Sequence, residues 1–237
     1  MPVTALLFDL DDTLLDAEVA WRGGVEHLIG ARAFGQVNTD DGLVAWDEAF
    51  QLWFEPYLDG VISSEQSRTE RIRHWAGAFG LPVEAGSELD WFADYVTGYR
   101  AGWTRFADVD PMLATLPSGV RLGLITNGPS DLQRAKVIAL GLDSVFELVL
   151  VSGEFGVAKP DPSIFLHAAQ QLGVTPAQCL MVGDNLDKDV AGALAAGMRA
   201  VWVQRPGGPE AGKVPPDELA GRFVTLSGLA ALPELVA

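Results

Sequence analysis

Five short apolar runs limit how this chain can fold: TALLFDL at 4–10, VRLGLITNG at 120–128, FELVLVSGE at 146–154, CLMVGDN at 179–185 and RAVWVQR at 199–205. Each is apolar without alternation and is bounded by turn residues, the pattern of a strand buried on both faces of a parallel sheet. Helix-length segments separate the later runs. PSDLQRAKVIALG closes on Gly141 as a C-cap, DPSIFLHAAQQLG opens with Asp161 before Pro162 and closes at Gly173, and DKDVAGALAAG stops at Gly197. Strand and helix alternate from about residue 108 onward, which predicts an α/β fold built on a doubly wound parallel sheet. A Gly- and Pro-rich loop at 205–218 precedes a last short strand in RFVTL and an expected C-terminal helix.

Residues 16–105 follow a different pattern, with apolar stripes of helical period and no convincing strand. Leu43, Trp46, Phe50, Trp53 and Tyr57 share one helical face, as do Phe92, Val96, Tyr99 and Trp103. Six of the seven tryptophans lie here, and we read them as the core of a helical bundle. The expected organisation is a sheet domain over 1–15 and 106–237, with a four- or five-helix domain at 16–105 inserted after the first strand.

Charge narrows the partners. With 16 basic against 32 acidic residues, the net charge of -16 argues against a nucleic acid or an anionic membrane surface. A small anionic substrate would need a locally positive site. Cys179 is the single cysteine, which excludes a disulfide framework and a thiolate zinc site. MPVTALLFDL has no basic start and meets Asp9 too early for a signal peptide, and no run reaches the length of a spanning helix. A cytoplasmic protein is the expectation. Whether it is a monomer or a dimer is not legible.

The strands of the sheet half end in groups that a core does not need. The first run ends in Asp9, Asp11, Asp12 and Thr13, the second in Thr126, Asn127 and Gly128, and the fourth in Gly183, Asp184 and Asn185, with Asp187 and Asp189 just beyond. KPDP at 159–162 adds Lys159 before a helix start. Brought to one edge of a parallel sheet, this set offers carboxylates for a hard cation, a hydroxyl for anionic oxygens and an ammonium to balance charge.

On these residues the sequence resembles the haloacid dehalogenase-like hydrolase superfamily. Asp9, Asp11 and Thr13 match its D-x-D-x-T motif, Thr126 the Ser/Thr that ends the next strand, Lys159 with Pro160 the lysine motif, and Gly183, Asp184 and Asp189 the final acidic motif. The four appear in order and span the sheet domain. The resemblance implies a Mg2+-dependent phosphatase of a small phosphorylated metabolite, with Asp9 as the nucleophile that forms an aspartyl phosphate and Asp11 as the general acid and base. It further implies that Thr126, Asn127 and Lys159 bind the phosphoryl group. The metal would fall to Asp9, Asp11 through its main-chain carbonyl, Asp184 and Asp189, with Asn185 a possible helper.

An all-helical insert between the first two motifs is, in this superfamily, a cap that selects the substrate. The second aspartate of the first motif is missing from the family's dehalogenases, whose halide leaving group needs no proton, so Asp11 favours phosphoryl chemistry. Phosphonate-cleaving relatives use a cap lysine, yet Lys136, Lys159, Lys188 and Lys213 all lie outside 16–105. Dehalogenase-like and phosphomutase activities remain alternatives on the same fold, and a non-catalytic phospho-acceptor or binding module is a remoter one. Asp12, Asp16 and Arg22 are read as turn, hinge or surface residues, Asp187 as a helix N-cap, and His27, His74 and His167 as isolated.

Overall fold

A computed structural model describes residues 2–33 and 35–236. They form two compact units, Ala17–Thr104 and Met1–Asp16 with Arg105–Ala237.

The first unit is helical: α1 (Ala17–Leu28, extended by a wide π turn, Ile29–Ala33), α2 (Thr39–Leu58), α3 (Ser64–Ala78) and α4 (Glu88–Ala101). Asn38 caps α2 by accepting the Asp41 N–H, and Ser63 with Gln66 forms a reciprocal capping box at the start of α3. Glycines let α1 and α4 approach closely, since a Cβ on Gly98 would lie 2.1 Å from the Gly23 carbonyl oxygen. Trp46 and Trp75 are completely buried, and the Trp75 indole donates to the Gly42 carbonyl at 2.9 Å, tying α3 to α2. Helix α4 stops at Ala101 and Gly102 follows as its cap, so Trp103 falls past the end of the helical face assigned to it.

The second unit is a six-stranded sheet: β1 (Ala5–Phe8), β2 (Arg121–Thr126), β3 (Leu148–Val151), β4 (Cys179–Gly183), β5 (Arg199–Val203) and β6 (Val224–Leu226). All neighbours pair in parallel, in the order β3-β2-β1-β4-β5-β6. The connecting helices are α5 (Val109–Thr115), α6 (Ser130–Ala139), α7 (Ser152–Phe155), α8 (Pro162–Gln171) and α9 (Gly192–Ala195), the last preceded by a π turn at Leu186–Ala191. On one face Leu7, Ile125, Met181 and Trp202 pack with Ile164, Phe165 and Ala168 of α8, and Cys179 is buried in the same cluster. The sheet is thus covered where its strands read as continuously apolar.

Asp16 and Arg105 belong to the sheet unit. An antiparallel bridge joins Leu15 to Arg105, and the Phe106 N–H donates to the Leu14 carbonyl at 3.0 Å. The chain end forms only a 3-10 turn at Leu232–Leu235 in place of the expected helix, because Gly228 and Pro233 leave no uninterrupted run in which a helix can propagate.

Candidate active site

Strand order reverses between β1 and β4, with β2 and β3 lying to one side and β5 and β6 to the other. At such a switch point the connections diverge to opposite faces and leave a crevice beyond the carboxyl ends of the strands. Asp9 follows β1, its N–H donating to the Val182 carbonyl at 2.9 Å, and Asp184 follows β4. Asp189 reaches the same place from the π turn and lies flat against the end of β4. A Cβ on Gly183 would meet its Oδ2 at 2.3 Å, so the strand can end there only in glycine.

Lys159 joins these elements. Its buried ammonium donates to Asp9 Oδ1 at 2.5 Å, to Asp189 Oδ1 at 2.6 Å and to the Ile125 carbonyl at 2.9 Å, which uses all three of its protons. Asn127 holds the Lys159 backbone from both sides, donating Nδ2–H to its carbonyl and accepting its N–H, each at 2.9 Å. Asp189 Oδ2 accepts the Asn185 N–H at 3.1 Å. The Thr13 hydroxyl donates to Asp184 Oδ1 at 3.1 Å and accepts the Asp184 N–H at 3.0 Å, while the Trp202 indole donates to the Asp184 carbonyl at 2.7 Å. Both oxygens of Asp189 are therefore engaged, whereas Asp9 and Asp184 each keep one oxygen that accepts no hydrogen bond from the described residues.

The electrostatics of this cluster call for one more positive charge. Burial pushes Asp9 up to about 7 even though Lys159 pulls the other way, and Asp189 and Asp11 push it further. Burial, together with Asp9, Asp189 and Asp12, holds Asp184 well above the usual carboxylate range. For Lys159, burial works against the ammonium, but Asp189 and Asp9 outweigh it and raise the group above its ordinary value. Carboxylate oxygens of Asp9, Asp184 and Asp189 lie within 4.8 Å of one another. Three carboxylates facing one ammonium, with two oxygens left over, suit a small hard cation.

Asp11 and Thr126 are held separately, by α6. Lys136 donates to Asp11 Oδ1 at 2.7 Å and Gln133 Nε2 donates to Asp11 Oδ2 at 2.9 Å. The same Gln133 nitrogen makes a short hydrogen bond to Thr126 Oγ1. The sequence pattern at 129–141 reads as a connecting helix, and neither residue belongs to the four motifs. A signal was present: Gln133, Lys136, Val137 and Leu140 follow the helical period of one stripe, so a Gln and a Lys occupy positions that face the sheet.

The remaining expectations resolve simply. The π turn is capped by Asn185, which accepts the Lys188 N–H at 2.9 Å, so the cap assigned to Asp187 belongs two residues earlier. Asp12 sits in the turn after β1 with a left-handed φ of 59°, its N–H donating to the Leu15 carbonyl. Arg22 pairs with Asp40 at 3.3 Å on the surface of the helical unit. Among the described residues no helix is long and apolar enough to cross a membrane.

Comparison with known proteins gives a consistent picture. Residues 3–197 match the haloacid dehalogenase-like hydrolase family. The chain is 36% identical over 236 residues to a phosphoserine phosphatase of Thermus thermophilus, covering 91% of this chain and 94% of that one. It is 34% identical over 216 residues to the N-acylneuraminate-9-phosphatase of Rattus norvegicus, covering 87% and 84%. The fold aligns with that of the YfnB protein of Bacillus subtilis at a TM-score of 0.82, with 22% identity over 100% of this chain and 99% of the other.

Proposed function

The chain belongs to the haloacid dehalogenase-like hydrolase family, and from that premise we propose that it hydrolyses a phosphomonoester of a small metabolite through an aspartyl phosphate on Asp9. The observation that carries the reading is the Lys159 ammonium shared between Asp9 and Asp189 beside Asp184. Relatives named as phosphatases of phosphoserine and of N-acylneuraminate 9-phosphate support a small phosphorylated substrate.

In this mechanism Lys159 orients the Asp9 carboxylate through Oδ1, and Asp9 attacks phosphorus with one carboxylate oxygen while the other would help hold the cation. As the new Asp9–phosphorus bond forms, the bond from phosphorus to the leaving oxygen breaks, and Asp11 gives that oxygen its proton, releasing an alcohol. Asp11 then takes a proton from water as the water attacks the aspartyl phosphate. Inorganic phosphate leaves and Asp9 is restored. The Thr126 hydroxyl and main-chain N–H groups near Asp11 and Asn127 bind the phosphoryl oxygens, and Lys159 balances their charge. A Mg2+ ion would be held by Asp9, Asp184 and the Asp11 carbonyl with Asp189 behind them, and when bound it supplies charge neutralisation for the phosphoryl group. The helical unit, by this reading, is the cap that chooses the substrate.

The test is inorganic phosphate release from a panel of phosphoserine, sugar phosphates, nucleoside monophosphates, phosphoglycolate and an aryl phosphate, with Mg2+ and again with EDTA. Release that depends on Mg2+ is expected. A folded protein that releases no phosphate from any of them overturns the reading.

A further inference from the structure

We propose that Gln133 and Lys136 are positioning residues for phosphoryl transfer: together they hold the Asp11 carboxylate in one orientation, and Gln133 sets the direction in which Thr126 donates its proton. The inference rests on the phosphatase reading and extends it to two side chains outside the four motifs.

Hydrogen-bond chemistry leaves little freedom here. Gln133 Nε2 faces Asp11 Oδ2 at 2.9 Å, and since an amide nitrogen only donates, the Asp11 oxygen accepts. That nitrogen also donates to Thr126 Oγ1. With its oxygen already accepting, the Thr126 hydroxyl has its own proton to give, and it gives that proton to no described residue. The acceptor that completes it is a phosphoryl oxygen. Lys136 takes the other Asp11 oxygen, so rotating the carboxylate would break at least one bond. Both donors sit three residues apart on one face of α6, which makes them a single rigid fork.

Burial separates this from ordinary packing. Gln133 is 2% exposed and Lys136 4%, while the Asp11 side chain retains 31% of its exposure. An ammonium sunk beneath a carboxylate that water could solvate is costly, and a leucine or methionine would fill the same space. What the ammonium adds is direction, and each Asp11 oxygen keeps a second lone pair for the proton that Asp11 passes on. A general acid transfers its proton efficiently only along a defined line to the leaving oxygen.

The experiment compares Lys136→Met, Gln133→Met and Lys136→Arg with the wild type, in the full chain with Mg2+, on one alkyl and one aryl phosphate. Aryl leaving groups scarcely need a proton. For Lys136→Met we expect kcat to fall by about 10- to 100-fold on the alkyl ester and by roughly threefold or less on the aryl ester, with KM little changed. Lys136→Arg should recover part of the alkyl loss. Gln133→Met should lower both, since Thr126 serves both esters, and the alkyl ester more. It keeps the ion pair in place, so the comparison survives if the Lys136→Met protein does not fold. Equal losses on the two esters in the folded variants, or a change confined to KM, would overturn the positioning role alone. A wild type inactive on both esters would overturn the phosphatase reading and this inference with it.

Discussion

The two units bury polar groups in contrasting ways. In the sheet unit, Asp9, Thr126, Gln133, Lys136, Lys159 and Asp189 are all buried, and each is hydrogen-bonded to another residue of the site. In the helical unit Glu88 is hydrogen-bonded to Arg73 and to the Gly86 N–H, but the buried Arg71 guanidinium lies over rings, 5.5 Å from Trp46, 5.6 Å from Phe50 and 5.0 Å from Phe92. Hydrogen bonds are directional and lose strength steeply off axis, whereas ring faces and apolar contacts tolerate sliding. The sheet unit is therefore built to hold one geometry, which is what phosphoryl transfer requires. Packing around Arg71 in the helical unit tolerates small shifts instead.

The most forceful way to break the contrast is to cut the densest part of the wiring without changing its shape. Asp9→Asn preserves volume and removes the attacking oxygen, so phosphate release should fall by about 10³-fold or more. The melting temperature should hold or rise, because the substitution also removes a carboxylate that burial keeps out of its ordinary range. Activity above a few per cent of wild type would remove Asp9 from the nucleophile role.

A smaller effect follows from pH. Asp9, raised to about 7, and Asp184, raised well above its usual value, favour the protonated form in the folded chain without a cation. Their contribution to stability is full below the pKa of the unfolded carboxylates and is lost as pH rises through the folded values. In EDTA the protein should thus lose stability between pH 5 and 8, although Glu154, held at about 2 by Arg134 and Ser130, keeps its own contribution throughout that window. By the proposed reading Mg2+ would bind the ionised forms, so the rise in melting temperature on adding Mg2+ should be several degrees larger at pH 8 than at pH 5. An equal rise at both pH values would mean that the cation binds away from these carboxylates. Asp184→Asn should abolish most of the rise.

How much of this was legible depended on whether a residue's role is local or is set by folding. The parallel sheet could be read because five runs are apolar on both faces, and Asp9, Thr126, Lys159 and Asp184 could be placed because each lies where a strand ends or a helix begins. For Gln133 and Lys136 the helical stripe shows only that they face the sheet; their partners Asp11 and Thr126 become neighbours only when β1 and β2 pair, with Phe8 level with Leu124. The same holds for Trp202, which meets the Asp184 carbonyl through the pairing of β4 with β5. Trp103 fits the helical period but lies outside the helix, because the period continues past a helix end that Gly102 sets. Asp187 reads as a cap from sequence because the wide turn that makes Asn185 the cap is indistinguishable from an α-helix in a short sequence.

The mildest test is aimed at the helical unit. Burial pulls the Arg71 guanidinium down to about 10, with Tyr95 and Tyr99 opposing the shift and Arg68 adding to it. No carboxylate among the described residues forms an ion pair with it, so the charge is compensated chiefly by ring faces. Arg71→Ala should cost about 1–3 kcal/mol, through lost ring contacts and the emptied space around Trp46. Arg71→Lys should recover less than half of that, since a compact and strongly hydrated ammonium is a poor substitute for a planar guanidinium among aromatic rings. Neither variant should change the Mg2+-induced rise in melting temperature at pH 8, because none of the residues that would hold the cation lies in this unit. If Arg71→Ala abolished that rise while the protein stayed folded, the metal site would depend on the helical core, and the division between a wired site and a tolerant bundle would fail.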